Sequence, residues 1–294
     1  MKPAPFRYAR PETLAEAVGL LAGNDHDVKI LAGGQSLVPM LNLRLVRPSV
    51  LIDLNGVAGL DRIAPSPAGG LTIGALVRHA ALADSALVKE RAPLLAEAAR
   101  HVGHPAIRHR GTLGGSLAHA DPAAELPAAL VSLDAHIVLQ GLRGERTVPA
   151  SEFFLGLLTT ALAADEIVTE IQIPPHGPGW GFAEVVRRAG DFALAGVMAI
   201  VAHPGPSGHL ESVRLVGFGV GDRPVRFVEA ERIITNPAFG ARADLARAAI
   251  AAADACDPPD DVHASADYRR HLAAVLTGEV VGQALARLDG ARST

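Results

Sequence analysis

The sequence has little cysteine, few aromatic residues and no long apolar run. Cys256 is the single cysteine of 294 residues, so this chain forms no internal disulfide and cannot supply the cysteines of a zinc or iron–sulfur centre. Aromatic residues make up only 4%, so the core must consist mainly of Ala, Leu, Val and Ile. Because there is no membrane-length apolar segment and no apolar signal-peptide region, we expect a cytoplasmic protein.

Clustered positive charge is also lacking. The net charge is −4, and the 27 lysines and arginines are scattered along the sequence, so we expect no nucleic-acid partner. The chain is 49% hydrophobic, which is enough to bury the core of one large domain or two ordinary ones.

Helical and strand patterns alternate along the chain, which predicts an α+β protein. A turn-rich run, IPPHGPG at residues 173–179, is the best candidate linker. We therefore predict a first domain over 1–175, and a smaller domain over 176–294 with a three-stranded sheet followed by helices. The sequence HPGPSG at 203–208 is expected to form a hairpin turn in the second domain. Expected helices lie at 11–23, 92–101, 125–133, 226–235, 241–255, 266–276 and 279–288, and expected strands at 28–32, 50–54, 71–76 and 136–140.

The first candidate binding motif is AGGQSL, residues 32–37, where a predicted strand ends. Two adjacent glycines allow successive backbone N–H groups to point into one concavity and bind an anion such as a pyrophosphate, with Gln35 and Ser36 as further donors. A plain glycine-rich turn is the alternative. The motif is not GxGxxG, and no helical pattern begins directly behind it, which disfavours a Rossmann dinucleotide site.

A second small-residue segment, RGTLGGSLAHADPAAELP, covers residues 110–127. Thr112, Gly114, Gly115 and Ser116 predict another loop with hydroxyl donors. Two such loops suit a dinucleotide, whose pyrophosphate and sugar hydroxyls need donors from several directions. Glu125 is either an acceptor for ribose or ribitol hydroxyls or an acidic residue in the first turn of a helix.

Two other residue sets suggest different chemistry and are disfavoured. Glu97, His101 and His104 have metal-ligand spacing, but Gly103 and Pro105 interrupt the helix that would align them. Ser116, His119 and Asp121 are the residue types of a hydrolase triad, but they are too close in sequence for its usual geometry, and GxSxG is absent. We therefore predict no metal site and no catalytic acid, base or nucleophile.

Both glycine motifs, together with YARPETLAEAVGLLA, DEIVTEIQIP, RRAGDFALAGVMAIV and DYRRHLAAVL, resemble the flavin-binding subunit of the molybdenum hydroxylases. This family includes carbon monoxide dehydrogenase and xanthine dehydrogenase, and the resemblance covers essentially the whole chain. It implies a PCMH-type FAD-binding domain of two α+β subdomains, followed by a C-terminal flavoprotein domain of the CO dehydrogenase type.

The resemblance also implies cofactors and partners. FAD would be bound noncovalently and would pass electrons to NAD or a quinone. A large partner subunit would hold molybdenum-molybdopterin, and a small one would hold two [2Fe–2S] clusters, in a dimer of heterotrimers.

Matched position by position, the resemblance places the pyrophosphate loop and its flanks on the first motif and a second FAD loop on the second. Glu125 takes a position where Asp is commoner in the family, so the geometry of the contact changes while the charge is kept. Val168 would make a backbone contact near the flavin ring, and no lysine occurs where some relatives place one beside the ring. The implied FAD residues are Ile30, Leu31, Ala32, Gly33, Gly34, Gln35, Ser36, Leu37, Thr112, Leu113, Gly114, Gly115, Ser116, Glu125 and Val168.

Two alternatives remain from the sequence. One is a scaffold subunit of the same complex that has lost the cofactor, against which the two intact glycine motifs argue. The other is a standalone flavin oxidoreductase related to the enolpyruvyl-sugar reductases, which would need its own acid/base residues. The reducing substrate of the whole complex is not encoded in this chain, because its pocket would lie in another subunit.

Overall fold

The N-terminal subdomain is a small parallel sheet with helices packed against it. The computed structural model describes residues 2–23, 27–202, 210, 212–240 and 242–292. The first elements are β1 (Arg7–Ala9), α1 (Leu14–Ala22), β2 (Val28–Leu31), α2 (Leu37–Asn42), β3 (Val50–Asp53) and the 3-10 turn Leu54–Gly56. Strand β3 is buried and lies between β1 and β2, which both run parallel to it. Helix α1 begins at a capping box formed by Thr13 and Glu16.

The second subdomain is an antiparallel sheet covered by short helices. Its strand order is β4-β5-β10-β6-β7, so the last strand of the subdomain lies at the centre. Its elements are β4 (Ile63–Pro65), β5 (Leu71–Gly74), α3 (His79–Asp84), α4 (Ala86–Arg91), α5 (Pro93–His101), α6 (Pro105–Arg108), α7 (Leu113–His119), α8 (Glu125–Ser132), β6 (His136–Gly141), β7 (Gly144–Pro149), α9 (Ala150–Phe153), the hairpin β8 (Phe154–Gly156) and β9 (Thr159–Thr160), and β10 (Ile167–Ile173).

The C-terminal part is an antiparallel sheet between two layers of helices. Alternate residues of its central strand β12 pack in different cores: Met198 and Ile200 join the core of the second subdomain, whereas Val197 and Ala199 face the C-terminal helices. The elements are β11 (Gly179–Val185), β12 (Ala195–Val201), β13 (Val213–Phe218), β14 (Val225–Arg226), α10 (Val228–Ile234), α11 (Arg242–Asp254) and α12 (Ala266–Arg292).

Polar contacts add to this shared core. The Arg214 guanidinium donates to the carbonyl oxygen of Ser132 at 2.8 Å and pairs with Asp134 at 2.9 Å. The N–H of Gly219 donates to the carbonyl oxygen of Pro122 at 2.8 Å. The C-terminal sheet is therefore anchored to both ends of α8.

The α+β class and the C-terminal sheet followed by helices are confirmed, with corrections. The sheet has a fourth strand, β14, whose two residues are too short to produce an alternating pattern. The helices predicted at 266–276 and 279–288 are one helix, α12. This helix packs so closely on β11 that a Cβ on Gly181 would lie 2.1 Å from the carbonyl oxygen of Val280. Tertiary packing thus overrides the weak helix propensity of glycine near residue 278. The predicted hairpin turn at 203–208 lies outside the described residues.

Among the helices that the structure describes, none has the combination of length and apolar content needed to cross a bilayer. The longest, α12, carries charged residues throughout its sequence.

Candidate functional site

The first glycine motif forms a tight turn between β2 and α2. Gly34 has φ of +74°, a left-handed conformation that favours glycine. The side chains of Leu31 and Val38 close in beside it, each within 3.1 Å of where a Cβ on Gly34 would be placed. The prediction that no helix begins directly behind the motif is wrong, because α2 starts at Leu37. Six residues that include Pro39 are too few to show a helical period.

The backbone N–H groups of this turn lack acceptors among the described residues, and the residues range from buried at Gly33 to exposed at Ser36. Within the described part of the chain, the N–H groups of Gly33, Gly34, Gln35 and Ser36 donate to no protein acceptor. The Gln35 side-chain amide folds back onto the carbonyl oxygen of Gly33 at 3.3 Å. Four consecutive free donors around a left-handed glycine form the kind of concavity that binds anions.

The second glycine motif is the first turn of α7 rather than an open loop. The Thr112 hydroxyl caps the helix by accepting from the N–H of Gly115 at 3.2 Å. The N–H groups of Leu113 and Gly114 donate to the carbonyl oxygens of Val77 and Ala75, at 3.0 and 2.8 Å. These backbone donors are therefore already used, and the hydroxyls remain as the polar groups of this segment.

The two glycine motifs pack against each other. A Cβ on Gly33 would lie 2.3 Å from the carbonyl oxygen of Arg110 and 2.8 Å from the Cα of Gly111. A Cβ on Gly115 would lie 3.8 Å from the Cβ of Ala32. The fold thus brings together two segments separated by about 75 residues in the sequence, and their contact requires glycine at position 33.

A series of hydrogen-bonded side chains outside the predicted site residues joins both motifs. The Asn55 amide donates to the carbonyl oxygen of Ala32 at 2.8 Å and to the Asp53 carboxylate at 2.5 Å. Arg78 donates to the Asn55 side-chain oxygen at 2.5 Å and also to the carbonyl oxygen of Arg110. Tyr8 donates its hydroxyl to the other Asp53 oxygen at 2.5 Å. No sequence pattern marks these residues, since all of these contacts except the one between Asn55 and Asp53 span 23 to 45 positions.

The Asp53 carboxylate at the centre of this series is ionised. Partial burial would raise the pKa of Asp53, but the hydrogen bonds from Tyr8 and Asn55 outweigh it and hold that pKa below its ordinary value. The same hydrogen bond to Asp53 raises the pKa of the exposed Tyr8 hydroxyl. Tyr8 therefore remains a donor over the physiological range.

The buried His79 imidazole contacts the start of α7. Its Nε2 lies 2.9 Å from the carbonyl oxygen of Thr112 and 3.2 Å from the Ser116 hydroxyl. Burial lowers the pKa of His79 to about 4, so the imidazole is neutral near pH 7. Ser116 therefore contacts a histidine, but this is His79 rather than His119 of the disfavoured triad.

Glu125 is a buried carboxyl at the start of α8, with 3% of its surface exposed. Burial raises its pKa to about 8, and the nearby charge of Glu184 and, more weakly, Asp121 add to the effect, whereas His101 lowers it. The expectation that the acidic charge is kept at this position is therefore wrong near pH 7, where the carboxyl is protonated. Within the described residues, no hydrogen bond joins this carboxyl to either glycine motif.

The other implied residues lie around the two motifs. Ile30 and Leu31 are half-buried in β2, which leads into the first turn. Val168 is buried in β10 beside a β-bulge. The next residue, Thr169, accepts from the N–H of Ala75, whose carbonyl oxygen accepts from Gly114. Thr169, the neighbour of Val168, is thus connected to the second motif through two backbone hydrogen bonds.

The Glu97, His101 and His104 set does not form a ligand cluster. The Nδ1 atom of His101 contacts Glu184 at 2.8 Å, and its Nε2 atom lies 3.5 Å from Glu97. Helix α5 ends at His101, and His104 is the N-cap residue of the separate helix α6, without a side-chain capping hydrogen bond. In the described ranges, no group of three or more His, Cys, Asp or Glu side chains is placed to hold a metal.

Comparison with known proteins assigns the chain to a family. The model for the FAD binding domain in molybdopterin dehydrogenase matches residues 4–176, and the model for the CO dehydrogenase flavoprotein C-terminal domain matches residues 180–284. The chain belongs to the FAD-binding subunits of the molybdenum hydroxylases. It is a flavoprotein subunit of a molybdenum-containing oxidoreductase, as the resemblance implied.

Individual relatives agree with this family. The chain is 42% identical over 289 residues to the 6-hydroxypseudooxynicotine dehydrogenase complex subunit alpha of Paenarthrobacter nicotinovorans, covering 98% of this chain and 97% of the relative. A structure of carbon monoxide dehydrogenase from Hydrogenophaga pseudoflava superposes with a TM-score of 0.93 at 37% identity, covering 98% of this chain and 99% of that one. Quinoline 2-oxidoreductase from Pseudomonas putida 86 gives a TM-score of 0.91 at 37% identity, covering 99% of both chains.

Proposed function

We propose that the turn at residues 32–37 and the start of α7 together hold FAD, with the pyrophosphate on the first motif. The observation that supports this most directly is the set of free N–H groups from Gly33 to Ser36 around a left-handed Gly34. Hydrogen bonds from such donors to a charged phosphate contribute about 1.5 to 3 kcal/mol each. We therefore assign the pyrophosphate of FAD to this turn.

The second motif would act differently from the first. The N–H groups of Leu113, Gly114 and Gly115 already donate within the protein. This segment would therefore offer FAD its hydroxyls, together with glycine backbone that the cofactor can approach closely. The Ser116 hydroxyl, held by neutral His79, is the candidate donor to the cofactor. Glu125 in its protonated form would donate a hydrogen bond to a ribose or ribitol oxygen, and Val168 would contact the ring through its backbone.

The proposed reaction is electron transfer. FAD, when bound, accepts two electrons with two protons and returns them to an acceptor. We propose that the electrons come from [2Fe–2S] clusters of a small partner subunit, after a large molybdopterin subunit has oxidised the substrate. The acceptor would be NAD or a quinone, and the complex a dimer of heterotrimers. This chain would bind and orient FAD without a catalytic acid or base of its own.

The experiment compares the isolated chain with the complex obtained by co-expression with its genomic neighbours. We expect the complex to contain molybdenum, iron and FAD and to oxidise a hydroxylase substrate. The isolated chain should contain only FAD and oxidise none of the candidate purines, aldehydes, N-heterocycles or carbon monoxide. Substrate oxidation by the metal-free isolated chain at the rate of the complex would contradict the proposal.

A further inference from the structure

Arg78 holds both glycine motifs at once. One nitrogen of its guanidinium donates to the carbonyl oxygen of Arg110, the first residue of the second motif, and the other donates to Asn55 at 2.5 Å. Asn55 in turn donates to the carbonyl oxygen of Ala32, the first residue of the first motif, at 2.8 Å. The planar guanidinium presents its donors in a fixed geometry, so it fixes the distance between its two partners.

The orientation of the Asn55 amide follows from its neighbours. Arg78 has only donors, so it must contact the amide oxygen of Asn55. The amide nitrogen then has two hydrogens for two acceptors, the carbonyl oxygen of Ala32 and the carboxylate of Asp53. Asp53, the last residue of β3, also accepts from the backbone N–H of Asn55 at 2.9 Å. This second contact holds Asn55 beside the end of the strand. Every polar atom of the Asn55 side chain is therefore used.

The carbonyl oxygen of Arg110 is the point where these contacts meet. Arg78 donates to it, and Gly33 packs so closely on it that a Cβ there would lie 2.3 Å away. Movement of this carbonyl would therefore displace Gly33 and the free N–H groups that follow it. The backbone of the 75–79 segment holds the second motif independently, through His79, Val77 and Ala75.

We infer that Arg78 and Asn55 are positioning residues that set the spacing of the two glycine motifs and thereby the affinity for FAD. The inference rests on the proposed function of these motifs. Neither side chain needs to touch the cofactor for this effect. Loss of either one should leave each motif intact, because each keeps its own backbone hydrogen bonds, but should allow the two motifs to shift relative to each other.

The test measures FAD affinity by quenching of flavin fluorescence, the visible circular dichroism of bound flavin, and denaturant unfolding of the FAD-free full-length chain. We expect Arg78→Gln and Asn55→Ala each to weaken FAD binding at least tenfold and to change the circular dichroism, with a small change in unfolding. The double variant should bind FAD with the same affinity as the single variant that binds it less tightly, because the two residues act as one unit. Arg78→Lys keeps the charge but loses the planar two-nitrogen geometry of the guanidinium, so its affinity for FAD should be intermediate.

Arg91→Gln is the matched control, because Arg91 also donates to distant backbone carbonyls, those of Gly69 and Gly70 at 3.4 Å. It should bind FAD like the wild type. Unchanged affinity in Arg78→Gln, or additive losses in the double variant, would overturn the inference. If Arg78→Gln fails to fold, the FAD affinity of Arg78→Lys is the test. An affinity equal to that of the wild type in Arg78→Lys would likewise overturn the inference.

Gly33→Val separates failure of this inference from failure of the proposed site. Loss of FAD in Gly33→Val with normal binding in Arg78→Gln would leave the site in place and refute the positioning role. Normal binding in both variants would refute both. Loss of FAD in Arg78→Gln with normal binding in Gly33→Val would also overturn the inference, because the spacing of the two motifs would then not matter.

Discussion

Replacement of Glu125 by Gln should remove a specific pH dependence of stability. The wild-type carboxyl is buried at the start of α8, and its pKa rises from 4.5 to about 8 on folding. The folded protein therefore binds this proton more tightly than the unfolded chain does. It follows that the stability contributed by this group is complete below about pH 4.5 and is lost as the pH rises towards 8.

The size of the effect follows from the two pKa values. One pKa unit corresponds to about 1.4 kcal/mol, so a rise from about pH 5.5 to 7.5 should cost the wild type roughly 2 to 3 kcal/mol through this one group. Glutamine has nearly the same shape and no titration. The unfolding free energy of Glu125→Gln should therefore fall less over this range. The difference in unfolding free energy between Glu125→Gln and the wild type should shift in favour of the variant as the pH rises.

The assay is denaturant unfolding of the FAD-free chain at several pH values, with the unfolding free energy taken by linear extrapolation. Glu145→Gln, a substitution of an exposed glutamate in β7, is the control and should follow the wild-type curve. If the wild-type and Glu125→Gln curves run parallel from about pH 5.5 to 7.5, Glu125 is ionised in the folded protein and the reasoning is refuted.

Three further substitutions have clear expected outcomes. Gly33→Val should reduce FAD binding at least a hundredfold in a fluorescence titration, because its side chain would displace the carbonyl of Arg110; Gly282→Ala, where a Cβ meets nothing within 4 Å, should bind normally. Ser116→Ala should weaken FAD binding by less than about tenfold, the value of one neutral hydrogen bond, and a hundredfold loss would contradict this. Gly181→Ala should lower unfolding free energy by about 1 to 3 kcal/mol through overpacking against α12, and an unchanged denaturation midpoint would be contrary.

Local patterns were sufficient to predict much of the fold. Helix α1 has its capping signals and its apolar spacing within one short segment, and α5 has proline at its first position. Strands β2, β3 and β5 lie between glycine, proline and asparagine residues. These elements are specified by neighbours in the sequence, so their positions could be predicted from it.

The geometry of the site depended on distant contacts and could not be predicted in the same way. The glycines of the second motif indicated an open loop, but Thr112 caps a helix there and the 75–79 segment takes its N–H groups. Likewise, the charge of Glu125 depends on burial and on Glu184, which is 59 positions away. The link through Asn55 and Arg78 arises only when β3 and the start of α3 come together.

We propose that this chain holds FAD between its two glycine motifs. The flavin content of the purified wild-type chain and Gly33→Val, measured side by side after acid precipitation, tests this directly. We expect about one FAD per wild-type chain, released into the supernatant because no covalent bond holds it, and almost none in a folded Gly33→Val chain. A folded wild-type chain that is colourless and cannot be reconstituted with FAD would show that this site does not bind the cofactor. Equal flavin content in the two chains would contradict the proposal as well.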